Sequence, residues 1–514
     1  NDTDYNDRNR YFLRGQLLIE PSDTLRLRLI ADYTHRDEKC CGAIVSDARE
    51  KLDPTPGVPG DYSINPAGNR IVQVMQSLGA IFPSGDDVYN RKMVNSPGRA
   101  YSNKTKDWGG SAQVDWDLDW ASLTSITGYR YYKAFGAADI DFSNVDIALR
   151  AGDGNNFRRF KTFTQEVRLN GSALSDKLDW LIGGYYSHED LKNADNIQFG
   201  SQYGAFASCR VVATINPLAA LRNPAAAGCL SPAGTAALTG ALGPAAPLII
   251  SGLNNLSTIN SLGSVRDEFN QTSESYALFT HNIFKVTDRL SLTVGARYAH
   301  EHKSLGATFN NNNTVCPVQQ SALAPLLSNA ALANLAGAII TLSCTGNSTS
   351  ALNSKVLSDG FSEKKLTGTA VVSYKPTNGT LVYASYSRGY KAGGYNLDKS
   401  DLGSAVLAST TANPVTSKLR FDPETVDAFE IGLKYTSRAF TLNAAAFRQQ
   451  FSNFQLNTFN GTNFVVQNIG SCSQSLNGEL TKIEDITPII EFLVTGGWWI
   501  TGQTIFANGG YTTR

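Results

Sequence analysis

Methionine occurs twice and histidine five times in 514 residues, and neither sign of charge is in excess: Lys+Arg and Asp+Glu both number 45. A zero formal charge gives no basic stripe for nucleic acid. There is no CxxC pair and the five histidines are scattered, which removes the usual zinc frameworks. No glycine-rich strand–turn–helix fingerprint offers backbone N–H groups to a cofactor pyrophosphate. No helix-length apolar run stands out either. The nearest, Ala322–Ser343, is interrupted by Pro325, Asn329 and Asn334 and reads as short helices within a loop. With a mean hydropathy of −0.21 the chain is too polar for a helical membrane protein. The chain opens on Asn1 with no charged leader, so its N-terminus reads as processed or truncated.

What is present is alternation. In residues 272–302 the second run places Leu290, Leu292, Val294, Ala296 and Tyr298 on one face, and Ser291, Thr293, Gly295 and Arg297 on the other. A period of two is a strand with one apolar and one polar face. The pattern recurs in hairpins at about Asn9–Arg36, Asp107–Phe135, Phe160–His188, Glu363–Tyr390 and Thr425–Gln455, with a thirteenth strand expected at Asn463–Ile469. In the first hairpin Leu25, Leu27, Leu29, Ala31 and Tyr33 oppose Arg26, Arg28, Asp32, Thr34 and Arg36. An arginine facing lipid at mid-membrane costs about 2–4 kcal/mol, so the arginines face a watery lumen.

Turns within hairpins are a few residues long, whereas the segments between hairpins are long. That asymmetry matches short periplasmic turns and long outside loops. The loops near 193–270 and 304–361 are rich in Ala, Leu, Gly, Asn and Ser, and short helices or mobile segments are expected there. Tyr129, Tyr131, Tyr132, Tyr185, Tyr186, Tyr298 and Tyr386, near strand ends, suit interfacial belts. The expected fold is therefore all-β, an antiparallel transmembrane β-barrel with long extracellular loops, set in outer-membrane lipid.

Seven cysteines complete the inventory. Cys209 and Cys229 share one loop and Cys316 and Cys344 the next, spacings that predict local disulfides from an oxidising compartment. Cys40 and Cys41, being adjacent, are expected not to bridge each other, and Cys472 has no evident partner. His300 and His302 share one strand face near a loop mouth, where solvated strand ends are the ordinary reading. Tyr129 and Lys133 match a Tyr-x-x-x-Lys pair only by spacing, inside a barrel strand, so no enzyme is expected.

Taken in order, several segments resemble TonB-dependent outer-membrane receptors of Gram-negative bacteria. They are Thr164-Gln165-Glu166-Val167-Arg168-Leu169, Asp179–Tyr186, Tyr276–Phe279 and Leu290–Arg297. The most specific are Tyr386-Ser387-Arg388-Gly389-Tyr390-Lys391-Ala392-Gly393-Gly394-Tyr395-Asn396, and Phe421-Asp422-Pro423-Glu424 leading to Glu430–Lys434. The resemblance covers about residues 1–470. It implies a 22-stranded barrel around an N-terminal plug, and energised uptake of a scarce small solute such as a siderophore, cobalamin, sugar or aromatic compound. It also implies a TonB complex as partner, engaged through a TonB box. About 13 of the expected strands are recognisable here, without plug or TonB box, which reads as part of a receptor. Within the most specific motif Arg388 and Lys391 are the candidate contacts to an anionic ligand, with pairing to wall carboxylates as the alternative.

Residues 471–514 break the pattern. Thr481-Lys482-Ile483-Glu484 reads as a capping box before Ile486, Ile489, Ile490 and Leu493 at helical spacing. With Ile500–Gly510 this resembles the C-terminal end of a short-chain dehydrogenase/reductase, joined near residues 477–482; one more barrel strand at Trp498–Ala507 is the rival reading. The functional alternatives to an energised receptor are a passive porin-like channel and a fusion product without function.

Overall fold

The computed structural model describes residues 4–52, 63–82, 89–90, 92–99, 101–344, 352–353, 355–402, 414–459 and 464–470. Twelve long strands follow one another: β1 (Arg10–Ser22), β2 (Leu25–Glu38), β3 (Ser102–Asp117), β4 (Ser122–Asp139), β5 (Phe157–Ala173), β6 (Leu178–Asp195), β7 (Asp267–Lys285), β8 (Leu290–Thr308), β9 (Val356–Thr377), β10 (Thr380–Lys391), β11 (Glu424–Thr436) and β12 (Thr441–Ser452). Each pairs antiparallel with its sequence neighbours, so the sheet order is the chain order. The sheet is not closed: β1 and β12 are its edges among the described residues.

The expected thirteenth strand lies elsewhere. β13 (Phe454–Phe459) and β14 (Phe464–Ile469) form a separate two-stranded ribbon. Gln455 at its base donates to the carbonyls of Ala392 and Asp422, which ties the ribbon to the connection after β10 rather than to the sheet edge.

One end of the sheet is closed by tight turns. Asn378-Gly379, between the paired Thr377 and Thr380, is the two-residue turn whose backbone twist suits a hairpin. A Cβ at Gly379 would stand 2.5 Å from the Thr436 carbonyl. The other end carries the long loops, and these are folded. Between β2 and β3 lies α1 (Arg70–Ser77). Between β6 and β7 lie α2 (Tyr203–Ile215), α3 (Pro232–Leu242) and α4 (Ala246–Ser257). Between β8 and β9 lie α5 (Val315–Leu323) and α6 (Ala333–Cys344).

The larger apolar core is in these loops, and a second joins Phe269, Leu305, Ala307 and Leu357 of the sheet to Tyr395, Leu402 and Leu419. Ile249, Leu253, Leu256, Ile259, Leu323, Ile339 and Ile340 are fully buried against Val74 of α1 and Val145 of the β4–β5 connection. Four consecutive outer connections therefore meet in one core, a cap over that end of the sheet. Residues 232–257 form an apolar helical stretch long enough to cross a membrane by length and composition. It bends at Gly243 (φ 52) and Pro244, and Leu238, Ile249, Leu253 and Leu256 turn into the cap core.

Candidate functional site

Cross-strand register carries each strand's two faces into its neighbours, so a whole sheet face can be followed. On the apolar face Tyr33 pairs with Trp108 and Trp108 with Tyr131; further along, Tyr186 pairs with Tyr276 and Tyr386 with Phe429. Ring centroids are 5.7 Å apart for Trp108–Tyr131, 4.9 Å for Tyr186–Tyr276 and 5.0 Å for Tyr386–Phe429. A second aromatic row lies near the tight turns, with Trp116, Trp120 against Trp180 at 6.3 Å, and Tyr435 against Phe440 at 5.5 Å. On β3 the rows are set by Trp108 and Trp116, about 27 Å apart along the strand. Between them Leu278, Val294 and Ile431 stand exposed at 70%, 45% and 63%. Tyr132 and Tyr185 do not belong to these belts. Their register puts them opposite Asp107 and Glu166 on the polar face, because neighbouring residues of a strand point to opposite sides.

Arg388 and Lys391 are not brought together. Arg388 sits opposite Asp427, its Nη1 3.8 Å from a carboxylate that also accepts the Tyr386 hydroxyl at 2.6 Å. Lys391 pairs in register with Glu424 on the other side of the strand and makes no ion pair among the described residues. His300 and His302 meet no metal geometry; His302 Nδ1 lies 2.9 Å from Ser362 Oγ, and among the described residues no group of three potential ligands converges.

The motif around Arg388 also builds a turn, which its sequence did not disclose. After Lys391 the chain turns back over the sheet. The Gly393 N–H donates to Glu363 at 3.1 Å, Lys303 Nζ donates to the Gly393 carbonyl, and Gly394-Tyr395 pairs with Arg420-Phe421. A Cβ on Gly393 would meet the Phe421 carbonyl at 2.7 Å, and one on Gly394 the Phe421 ring at 2.6 Å, so both positions need glycine. Arg420 then clamps Asp359 through two bonds of 2.8 and 2.9 Å and lies over the Phe361 ring. Asn396 exchanges two hydrogen bonds with Val466 of β14. These contacts make residues 392–396 a built turn.

The polar face holds the arrangement that sequence reasoning missed. Arg297 of β8 lies over the rings of Tyr185 on β6 and Phe279 on β7, at 5.3 and 5.5 Å. Phe279 lies flat because Gly183, opposite it, has no side chain: a Cβ there would come within 2.3 Å of the ring. Arg168, in the same row, is 3.4 Å from Glu166. Farther along β8, Glu301 accepts the hydroxyls of Ser275 and Tyr390, each at 3.0 Å. The alternation had marked Arg297 only as polar-facing; its ring partners come from strands whose order no local pattern shows.

In the cap, Asp146 joins three loops. Arg99 donates to it twice (3.0 and 2.8 Å) and Ser201 twice, through N–H and hydroxyl, both at 2.7 Å. Burial favours its neutral acid, but the guanidinium and the two serine donors outweigh that and hold the carboxyl below its ordinary value. Disulfides Cys209–Cys229 and Cys316–Cys344 staple the cap helices, each with Cα atoms 5.0 Å apart. Against expectation Cys40 and Cys41 are also bonded, with Cα atoms 3.0 Å apart. Cys472 lies outside the described residues.

A model of the TonB dependent receptor-like β-barrel family matches residues 52–513. The chain belongs to that family. No curated protein matches it. Solved structures similar to it include the ferric yersiniabactin uptake receptor of Yersinia pestis, with 14% identity and a TM-score of 0.48 over 87% of this chain and 46% of that one. The siderophore receptor PiuA of Acinetobacter baumannii shows 14% identity and a TM-score of 0.45 over 88% and 51%. The ferric-catecholate import receptor Fiu of E. coli K12, closed form, shows 12% and 0.44 over 90% and 54%. The chain thus spans about half the length of these solved receptors.

As a TonB-dependent receptor barrel, the sheet turns its aromatic-bounded apolar face to lipid and its polar face to the lumen, and the cap stands on the loop side. The family is one of receptor-like barrels. The family match runs through residue 513 and lends no support to a dehydrogenase-like tail; residues 471–514 themselves lie outside the described residues.

Proposed function

We propose that this chain supplies the barrel wall and outer cap of an energised importer in the outer membrane of a Gram-negative bacterium. The importer takes up a scarce small solute such as a siderophore, cobalamin or another nutrient, with the TonB complex as its inner partner. The observation that carries the reading is the sheet itself: an apolar band between two aromatic rows, a polar opposite face, and loops folded into a cap at one end only. An open sheet in lipid leaves two rows of unpaired N–H and C=O groups, so the rest of a receptor's strands complete the barrel in this reading. A plug and TonB box belong to it in the same way.

The test is accumulation of candidate solutes by cells expressing the full-length receptor, with and without TonB and with a protonophore. Loss of accumulation in either control is expected. Steady solute flux that ignores both would make the protein a passive channel.

A further inference from the structure

The side of the sheet that faces away from the lumen carries a patch of cations. On β3, β4 and β5 the residues two positions beyond Trp108, Tyr131 and Phe163 toward the loops are Lys106, Lys133 and Lys161. Side chains alternate along a strand, so these lysines share the lipid-facing side of the aromatic residues. Register then sets cation against cation: Lys106 is directly opposite Lys133, and Lys133 directly opposite Arg159. Like charges in directly opposed pairs are destabilising, and neighbouring strands lie only about 4.8 Å apart. Lys106 and Lys133 are exposed, Arg159 and Lys161 half-buried, and Lys133 Nζ lies over the Phe157 ring at 4.9 Å.

The carboxylates of this side stand around the patch. Asp37 pairs with Lys104 at 3.1 Å, and Glu268 with Lys192, the residue opposite Arg159. Asp190, opposite Lys161, lies 3.4 Å from His188 and accepts the Thr272 hydroxyl at 3.3 Å. Asp139, at the loop end of β4, is buried and accepts the Ser96 N–H at 2.7 Å. The row Lys106–Lys133–Arg159 itself contains no acid. At the tight-turn end the same face of these strands carries Trp116, Leu123 and Leu169, and no lysine or arginine.

The patch therefore lies outside the lumen, about 7 Å of strand beyond the aromatic row, at the depth of lipid headgroups and in the leaflet beside the loops. Ammonium groups bind phosphate as point charges, and the row Lys106–Lys133–Arg159 spans two strand spacings, about 10 Å. We infer that Lys106, Lys133, Lys161 and Arg159 form a binding site for the phosphate groups of an outer-leaflet lipid. The headgroup phosphates neutralise the opposed cations, and the acyl chains lie on the apolar face between the two aromatic rows. This rests on the membrane placement of the sheet and is independent of which solute is carried.

The test uses the full-length receptor in detergent, stripped of lipid, with bound lipid counted by native mass spectrometry. It is titrated with diphosphoryl lipid A, with zwitterionic phosphatidylcholine and with inorganic phosphate. Lipid A is expected to bind roughly tenfold or more tightly than phosphatidylcholine, and less tightly as salt rises. Lys106→Gln, Lys133→Gln and Arg159→Gln combined are expected to weaken lipid A by roughly tenfold or more and leave phosphatidylcholine unchanged. The same loss of charge at the tight turns, with Lys177→Gln, Arg289→Gln and Lys375→Gln, is expected to change neither. The heated-gel shift verifies that each variant folds; Lys133→Gln alone, expected to weaken lipid A by less, replaces a triple variant that does not. Equal binding of the two lipids, wild-type lipid A affinity in the β3–β5 variant, or displacement of lipid A by an equal concentration of inorganic phosphate overturns the proposal. A receptor that inserts into bilayers yet shows no lipid preference keeps its membrane placement and loses this site. One that inserts into no bilayer loses the placement, and the site with it.

Discussion

Gly183 is a glycine because Phe279 fills the space a side chain would need, and Phe279 in turn supports Arg297. Replacing it by alanine forces the ring off the sheet. Gly183→Ala is expected to destabilise the barrel by about 1–3 kcal/mol, read as a lower urea midpoint; an unchanged midpoint would show that the ring has room to move. Asp146 sets a second expectation. Its carboxyl is held low by Arg99 and Ser201, so its contribution is full above the ordinary carboxylate pKa of about 4 and is lost as pH falls through its lower folded value. The latch is therefore intact at neutral pH and releases only in strong acid. Asp146→Asn should cost the cap about 1–3 kcal/mol at pH 7 and flatten the acid limb of its stability profile; a variant with the wild-type acid limb would assign that limb to other carboxylates. Neither residue announced itself in the sequence. A glycine in a strand and an aspartate in a loop are both common, and what makes these two matter lies on other strands and loops.

At the scale of the strand, the two-residue period carried most of the information. Leu290, Leu292, Val294 and Tyr298 share the apolar face as their alternation indicated, and each is paired with an apolar or aromatic neighbour on β9. The check is a pair of adjacent substitutions. Val294→Arg should cost about 2–4 kcal/mol if its face meets mid-membrane lipid, whereas Thr293→Arg, one residue away, should leave assembly nearly unchanged. Equal effects on the heated-gel shift would remove the assignment of faces. Where alternation was blurred, neighbours decided the phase. In β12 the sequence Thr441–Ser452 alternates poorly, and only pairing of Leu442 with Tyr435 and of Ala446 with Ile431 fixes which residues face lipid. Tyr132 and Tyr185 lie outside the belts because parity along the strand, not residue type near its end, sets the face.

At the scale of the whole molecule the sheet and the cap are stabilised differently. The sheet exposes both faces and relies on its ladders and on lipid, while the cap has a buried core and two disulfides. Removing both bridges with Cys209→Ser, Cys229→Ser, Cys316→Ser and Cys344→Ser should lower cap stability by about 2–4 kcal/mol per bridge. Faster protease cleavage between β6 and β7, with the heated-gel shift retained, is the expected result; unchanged cleavage would show that the apolar core alone holds the cap. Residues 1–514 expressed alone should not yield a heat-resistant band, since β1 and β12 are edges among the described residues. A sharp band would mean that the edges find partners.

The sequence by itself determined the strands, their tight turns and long loops, the polarity of each face and two of the three disulfides among the described residues. These are local properties: alternation, turn residues and short spacings act between residues close in the chain. Tertiary structure decided that the loops form one core, that the glycines of the Arg388 motif build an inward turn, and that Arg297 rests on Tyr185 and Phe279. The contacts responsible join Lys303 to Gly393, 90 residues apart, and Gln202 to Leu78, 124 apart. No periodicity reports such pairs, because they depend on which strands the folded sheet sets side by side.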